Sequence, residues 1–599
     1  MGKIAVVGTG PYGLIMLDHL VQKYTNAEEL EILAFDPAGP GGQVWSTKQD
    51  GAVLMNSVME HVTLFAEHPL IKSSERPSLY EWSKQQAPDF IKQYVEENQE
   101  EFLTQAASLK RNDCCQRRFY GLYQQWFILN LKSNLPENIS LTFYQEEVED
   151  LIVEEQITII AKENHLVDRV ILATGHADNE LTETEQQLQT FAKEQQLTYQ
   201  PPKNPAKVSL ENILPQEDVI LRGLGLSFFD YVALLTKHWG GTFIEEAGEL
   251  LYQPSGKEGK MILGSGRGLP YHARPVNEKL AGEDAQPQIL TDERIQQFQP
   301  GEAAEFFDLL KKEAELVYYE KKLADTSIDI AEFLTAYRKE DRNDVLDRFQ
   351  VPEELRWNWD ALVNPGKEVE AQDFPAFVPS YMDNDIKEAE KGNLSGAVAA
   401  ALDAMKELQM PVHKMIDQRA FTAKEYWEEL WGDYDPTYGF LTVGPPVLRM
   451  KQLAALTKAG IAIFLAPNME VEGVEDCFVA FSKQNNQVTY KAKHLIEARL
   501  PTTSYRRTLN PLIRALKDRG YLAPDIVEFD GEKHESGALR VERSTHRIID
   551  QQNQTLDNLY CYGAPLAGFD WLNASSPRPK NADRIFQVAN QIVQTIYQQ

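Results

Sequence analysis

The stretch KIAVVGTGPYGLIMLDHL, Lys3 to Leu20, decides how the rest of the chain is read. Ile4 to Val7 form an apolar run of strand length that passes directly into Gly8-Thr9-Gly10-Pro11-Tyr12-Gly13, a G-x-G-x-x-G pattern. Leu14, Leu17, Leu20 and Val21 then recur at helical spacing, an apolar stripe suited to lie on a sheet. Glycines at such a junction let the backbone turn sharply. They also let a pyrophosphate approach main-chain N–H groups at the positive end of the helix. A second predicted strand, Glu31 to Phe35, ends in Asp36, 23 residues after Gly13, where a carboxylate can take the hydroxyls of an adenosine ribose. A glycine turn alone is common. The strand before it, the helix after it and the acid beyond predict a dinucleotide site.

The 599 residues allow several lobes and a large core. With 60 basic against 90 acidic side chains, a formal charge of −30, nucleic acid and anionic lipid are excluded as principal partners. The chain opens on a core strand with no basic leader, and no apolar run approaches the roughly 18 residues that cross a bilayer. A soluble, cytoplasmic protein acting on a small-molecule substrate is expected. Cys114, Cys115, Cys477 and Cys561 form no C-x-x-C pair and have no metal-ligand spacing. They read as structural thiols, with neither a dithiol relay nor a metal site.

Further along, a strand at Ser140 to Tyr144 and a hairpin around Glu149 to Ala161 lead to the apolar strand Arg169 to Leu172. It ends at Ala173-Thr174-Gly175, small residues that let the chain pass close to a cofactor. A second strand-turn-helix follows: Val219 to Leu221, then Gly223-Leu224-Gly225, then a helix through Asp230 and Leu235, with its next strand expected near Thr242. Phe228 stands at the third glycine position, so this unit reads either as a nicotinamide nucleotide site or as a Rossmann-like domain without a ligand. The glycine- and proline-rich loop Tyr252 to Pro275 carries Ser265, Arg267, His272 and Arg274, with the arginines suited to a phosphate or a carboxylate. From Asn277 to Leu441 the spacing is helical with exposed charges. Near the end, strand Leu559 to Tyr562 reaches Gly563, and a helix with Ile585, Val588, Ala589, Ile592 and Ile596 closes the chain.

The expected class is therefore α/β, with two Rossmann-like dinucleotide-binding domains, the first discontinuous, and a large helical insertion. The boundaries are residues 1–176 for the first part of the first dinucleotide-binding domain and 177–276 for the second. Residues 277–440 form the insertion, and 441–599 return to the first domain.

The motifs at Gly8 to Gly13, GGQVW at Gly41 to Trp45, LMNSVMEHVTLF at Leu54 to Phe65 and ATG at Ala173 to Gly175 resemble one group of proteins. So do RGLGLSFFD and PSGKEGKMILGSGRGLPYHAR. The group is the bacterial FAD/NAD(P)-binding proteins that include urate hydroxylases and nitrosuccinate-forming aspartate N-monooxygenases. The resemblance implies an FAD-dependent monooxygenase using NADPH or NADH and acting on a small polar, amine-bearing substrate through a flavin hydroperoxide. It implies that Gly8, Gly10, Pro11 and Gly13 hold the pyrophosphate and Asp36 the ribose. Gly42, Trp45, Met55 and Asn56 would lie towards the flavin, with Asn56 as a donor near its N5. Ala173, Thr174, Gly175 and Gly563 complete the flavin site, and Gly223 and Gly225 the nicotinamide nucleotide site. Arg267, His272, Arg274 and Arg578 are the candidates for an acidic substrate. Other readings of the same residues are a flavin oxidase or reductase without oxygen transfer, and a non-catalytic flavin-binding sensor.

Overall fold

The computed structural model describes residues 2–67, 75–572 and 576–598. Its chain divides into two compact units, Met1–Glu180 with Leu280–Gly282 and Pro501–Gln599, and Leu181–Lys279 with Glu283–Leu500.

In the first unit, strand β1 (Gly2–Val7) runs into helix α1 (Pro11–Lys23) and back to β2 (Leu30–Phe35). The two strands pair in parallel, with Val7 opposite Phe35. A long helix, α2 (Arg117–Ser133), precedes β3 (Ile139–Tyr144), and β4 (Arg169–Leu172) pairs with the other side of β1. Both faces of this sheet are covered, which is why β1 reads as an unbroken apolar run. Val6 lies in the core formed with Leu14, Leu17 and Leu20 of α1, whereas Ala5 and Val7 belong to a second core with Leu33, Phe35 and Leu172. The region expected as a hairpin around residue 150 is a three-stranded antiparallel sheet, Asp150–Val153, Ile157–Ile160 and Asn164–Val167.

The second unit is built on β5 (Thr198–Gln200), β6 (Val219–Arg222), β7 (Met261–Gly264), β8 (Ala462–Phe464) and β9 (His494–Glu497). All pairings are parallel, in the order β8-β7-β6-β9-β5. Helix α3 (Leu226–Trp239) follows the glycine turn after β6, and Phe228 is fully buried in its first turn. The strand expected near Thr242 does not join this sheet. Residues Thr242–Glu246 and Glu249–Gln253 make a separate antiparallel hairpin, and β7 takes the place beside β6. Between β7 and β8 lies the mostly helical segment, including α4 (Ala303–Lys322), α5 (Phe374–Glu390), α6 (Ala397–Glu407) and α7 (Asp435–Thr442).

The return to the first unit falls at Pro501 and not at residue 441, because β8 and β9 complete the second sheet by pairing with β7 and β6. The chain then adds β10 (Arg547–Ile549), β11 (Thr555–Cys561) and α8 (Arg584–Tyr597). Strand β11 lies parallel to β4, giving the order β10-β11-β4-β1-β2-β3. Helix α8 buries Ile585, Val588, Ala589, Ile592 and Ile596, and Tyr597 Oη donates to the Leu20 carbonyl of α1 at 2.7 Å. The first Rossmann-like unit is thus discontinuous, closed by the distant C-terminal segment.

Candidate functional site

The glycine turn after β1 has two kinds of glycine. Gly8 has φ +97°, and a Cβ there would fall 2.2 Å from the Ala173 carbonyl oxygen at the end of β4. A Cβ on Gly13 would lie 1.9 Å from the Gly8 carbonyl oxygen, so the helix can approach the strand only without one. Gly10 differs. It caps α1 in an extended conformation, and the nearest protein atom to a Cβ there is the Gly41 carbonyl oxygen at 3.9 Å. The protein's own packing therefore demands Gly8 and Gly13, while the space beside Gly10 is open to a ligand at the helix N-terminus. Pro11 occupies the first helical turn, where its missing N–H costs nothing.

Asp36 comes to this turn from the end of β2. Its Oδ2 accepts the Thr9 N–H at 2.8 Å and its Oδ1 the Ala38 N–H at 2.9 Å. Burial pushes the carboxyl upward from its ordinary range, against those two N–H donors. Gly42, at φ +65°, faces the same point: a Cβ on it would lie 3.5 Å from Asp36 Oδ2 and 3.7 Å from Gly10 Cα. The Gly41 N–H donates to the Thr9 carbonyl at 2.9 Å, tying the two glycine segments together. Gly8, Gly10, Gly13, Asp36 and Gly42 thus form one cradle.

Sequence reasoning missed Gln124 of α2. Its side chain is fully buried, a Cβ on Gly41 would lie 3.3 Å from its Oε1, and neither of its amide atoms has a partner among the described residues. A buried carboxamide without partners at the wall of a cradle fits a polar group from outside the protein. The fully buried hydroxyl of Tyr120, one turn away, is likewise unpartnered. Its ring meets Trp45 edge-on at 4.8 Å. No motif marks these residues, since Gln124 sits on an ordinary amphipathic helix.

Other residues predicted for the flavin divide by environment. Met55 is buried against Cys115, with 3.6 Å between sulfurs, and is core packing. Asn56 beside it is half-buried, and its carboxamide makes no hydrogen bond to a described residue. Thr174 and Gly175 leave β4 and line a small cavity of about 40 Å³ with His176, Asn179 and Ser504. Gly563, at φ +85°, ends β11 against the ring of Tyr12, 2.8 Å from where its Cβ would be. The loop after it reaches back as well, for the Thr63 N–H donates to the Pro577 carbonyl at 3.0 Å.

In the second unit, Gly223 has φ +114° and lies beside the Ala498 carbonyl after β9, while Gly225 caps α3. Arg222 at the end of β6 pairs with the fully buried Glu497 at the end of β9, and Tyr199 Oη donates to the same carboxylate at 3.3 Å.

The substrate candidates fall in both units, Arg267, His272 and Arg274 in the second and Arg578 in the first. Arg267 and His272 both contact the ring of Phe440 in α7, the guanidinium at 4.1 Å and the imidazole at 4.8 Å. His272 is not available to a substrate, because Nδ1 lies 2.6 Å from Asp385 Oδ1 and Nε2 3.1 Å from the Leu362 carbonyl. Arg274 is held by its backbone, its N–H donating to the Pro445 carbonyl at 2.8 Å. Arg578 belongs to the first unit and is engaged with Asp583, at 2.9 Å through its side chain and 2.6 Å through its N–H. That carboxylate neutralises it, so it is not the open anion receptor the sequence suggested.

Two Rossmann-like units, each with a glycine turn at a helix N-terminus, define a two-dinucleotide oxidoreductase fold. A family model described as FAD-NAD(P)-binding matches residues 5–177. The chain is 33% identical to the nitrosuccinic acid synthase of Aspergillus oryzae, over 96% of its own length and 90% of that protein. It is also 33% identical to the L-aspartate N-monooxygenase (nitrosuccinate-forming) of Streptomyces davaonensis, over 96% and 94%. The solved structure of ornithine hydroxylase from Pseudomonas aeruginosa aligns with 100% of this chain and 99% of its own at TM-score 0.42 and 11% identity. The chain belongs to the FAD/NAD(P)-binding flavoprotein family of the aspartate N-monooxygenase-like enzymes. FAD and NAD(P)H are its cofactors, and it is an oxidoreductase.

Proposed function

We propose that the protein is an FAD-dependent, NAD(P)H-consuming monooxygenase that oxygenates the amine nitrogen of a small amino acid, with L-aspartate the first candidate. The observation that carries this reading is the convergence of the Gly8–Gly13 turn, Asp36, Gly42 and Gln124 in a chain matched over 96% of its length by proteins named for that reaction. Held in this cradle, FAD would supply the acceptor for the hydride of NAD(P)H and, once reduced, the electrons that activate molecular oxygen.

The protein's part is binding, orientation and exclusion of water. Main-chain N–H groups at the start of α1 hold the diphosphate. Asp36 keeps lone pairs for ribose hydroxyls beyond its two N–H bonds. Gln124 supplies both a donor and an acceptor from the wall. Trp45 on Tyr120, with Met55 in the core behind, gives the cradle an apolar backing. Asn56 is the proposed donor to the flavin ring.

Among the described residues no helix is long and apolar enough to cross a membrane. The cytoplasm is the proposed compartment, in keeping with cysteines that form no disulfide among the described residues. A reaction under ¹⁸O₂ with NADPH or NADH and a panel of small amino acids tests the activity. Labelled oxygen on the nitrogen of the product is expected. Nucleotide oxidation yielding only hydrogen peroxide with every substrate would replace this reading with an oxidase.

A further inference from the structure

The helical segment of the second unit encloses a cavity of about 260 Å³, lined by no residue of either glycine turn. Helix α5 supplies one wall from Phe377, Tyr381, Asn384, Asp385 and Glu388, which recur at helical spacing along one face. Val398, Ala399 and Leu402 of α6 supply a second, wholly apolar wall. The room exists because Ala273, Ala361, Ala389 and Ala399 line it where larger side chains would fill it. An apolar cavity of about 150 Å³ already admits benzene. This one is large enough for a ring that carries a short chain.

The α5 wall is polarised along its length. Phe377 and Tyr381 set two rings 6.3 Å apart towards its N-terminal part. Asn384 and Glu388 follow on the next two turns, and the helical rise places Glu388 about 10 Å along the axis from Tyr381. Asp385 is already engaged, since its Oδ1 lies 2.6 Å from His272 Nδ1 and its Oδ2 accepts the Ala273 N–H at 2.6 Å. Asn384 and Glu388 are left for a ligand. The Asn384 carboxamide makes no hydrogen bond to a described residue. Glu388 shares a solvent-facing ion pair with Lys391, a kind of contact worth little. Among the described residues no lysine or arginine lines the cavity, so an acidic amino acid finds no cation there. Aromatic and apolar at one end and acidic at the other, the walls complement a ring joined to an ammonium group.

We propose that this cavity is a second small-molecule site, distinct from the flavin cradle, that takes an aromatic amine. It stands independently of the substrate proposed above. Tryptamine and indole-3-propionate are matched probes, with the same ring, a two-carbon chain and opposite charge. In calorimetric titrations of the flavin-loaded protein, tryptamine is expected to bind at least about five-fold more tightly than indole-3-propionate. Glu388→Lys, at a partly exposed position, should fold and remove that preference. Ala399→Phe should fill the cavity from α6 and weaken both probes by at least about ten-fold. Glu388→Lys decides the matter if Ala399→Phe does not fold. Binding of neither probe to wild type, or affinities that neither variant changes, would overturn the site. Equal wild-type affinities for the two probes would overturn its assignment to an amine.

Discussion

A Cβ atom on Gly13 would lie 1.9 Å from the carbonyl oxygen of Gly8 and 2.9 Å from its carbonyl carbon. Both neighbours are backbone, which cannot swing aside as a side chain does. Gly13→Ala must therefore push α1 off β1, at a cost of at least about 2 kcal/mol. A fall in melting temperature of about 2–3 °C is expected in a thermal scan, together with weakened flavin binding. A variant as stable as wild type would mean that the helix and strand are not in this contact.

Gln124 should show opposite signs in stability and binding. Its buried amide has no partner among the described residues, so Gln124→Leu removes an unsatisfied group from the apoprotein. The apoprotein is expected to be as stable as wild type or more so. Flavin affinity should fall by about ten-fold, the worth of one or two hydrogen bonds. Parallel denaturation of apoprotein and titration with FAD check both signs. Unchanged affinity would remove Gln124 from the cradle.

Asp36 accepts two main-chain N–H groups and faces Gly42. Asp36→Asn keeps the shape but turns a donor towards either the Thr9 or the Ala38 N–H. We expect about a 10- to 100-fold loss of FAD affinity, from hydrogen bonds that are charge-assisted in wild type. Flavin fluorescence on dilution measures it.

His272 faces two acceptors, Asp385 Oδ1 and the Leu362 carbonyl, so only the imidazolium satisfies both. Burial pulls its pKa down, but Asp385 and the Leu362 carbonyl outweigh burial and hold it above the ordinary 6.5. A folded-state pKa raised above the unfolded one contributes stability that is complete below 6.5 and is lost as pH rises through the folded value. Asp385→Asn should therefore cost about 1–3 kcal/mol near pH 6 and progressively less towards about pH 9. Denaturant titrations of both proteins at each pH measure the gap. A gap independent of pH would show that His272 stays neutral.

Much of the first unit was legible because its signals are local. Strand, glycine turn, helix and Asp36 follow one another within about 35 residues, and period and spacing alone predict their geometry. The second unit was half legible. Gly223 and Gly225 announced the turn, but the hairpin at residues 242–253 stands where the next strand was expected. The true neighbour, β7, begins only at Met261. The boundary at 441 failed for a related reason, since β8 and β9 are short and carry no motif that assigns them to one sheet over the other. Gln124, Asp385 and Asp583 escaped notice because their importance lies in contacts between residues far apart in the chain.

The central claim is that the turn after β1 carries the flavin, and Gly10 tests it most directly. A Cβ there meets no protein atom closer than 3.9 Å and the backbone is extended, so Gly10→Asp should fold like wild type while setting a carboxylate against the diphosphate. Wild-type protein is expected to release stoichiometric FAD on acid denaturation, and Gly10→Asp, with an unchanged circular dichroism spectrum, to release none. A folded Gly10→Asp protein that still carries its full complement of FAD would contradict the account.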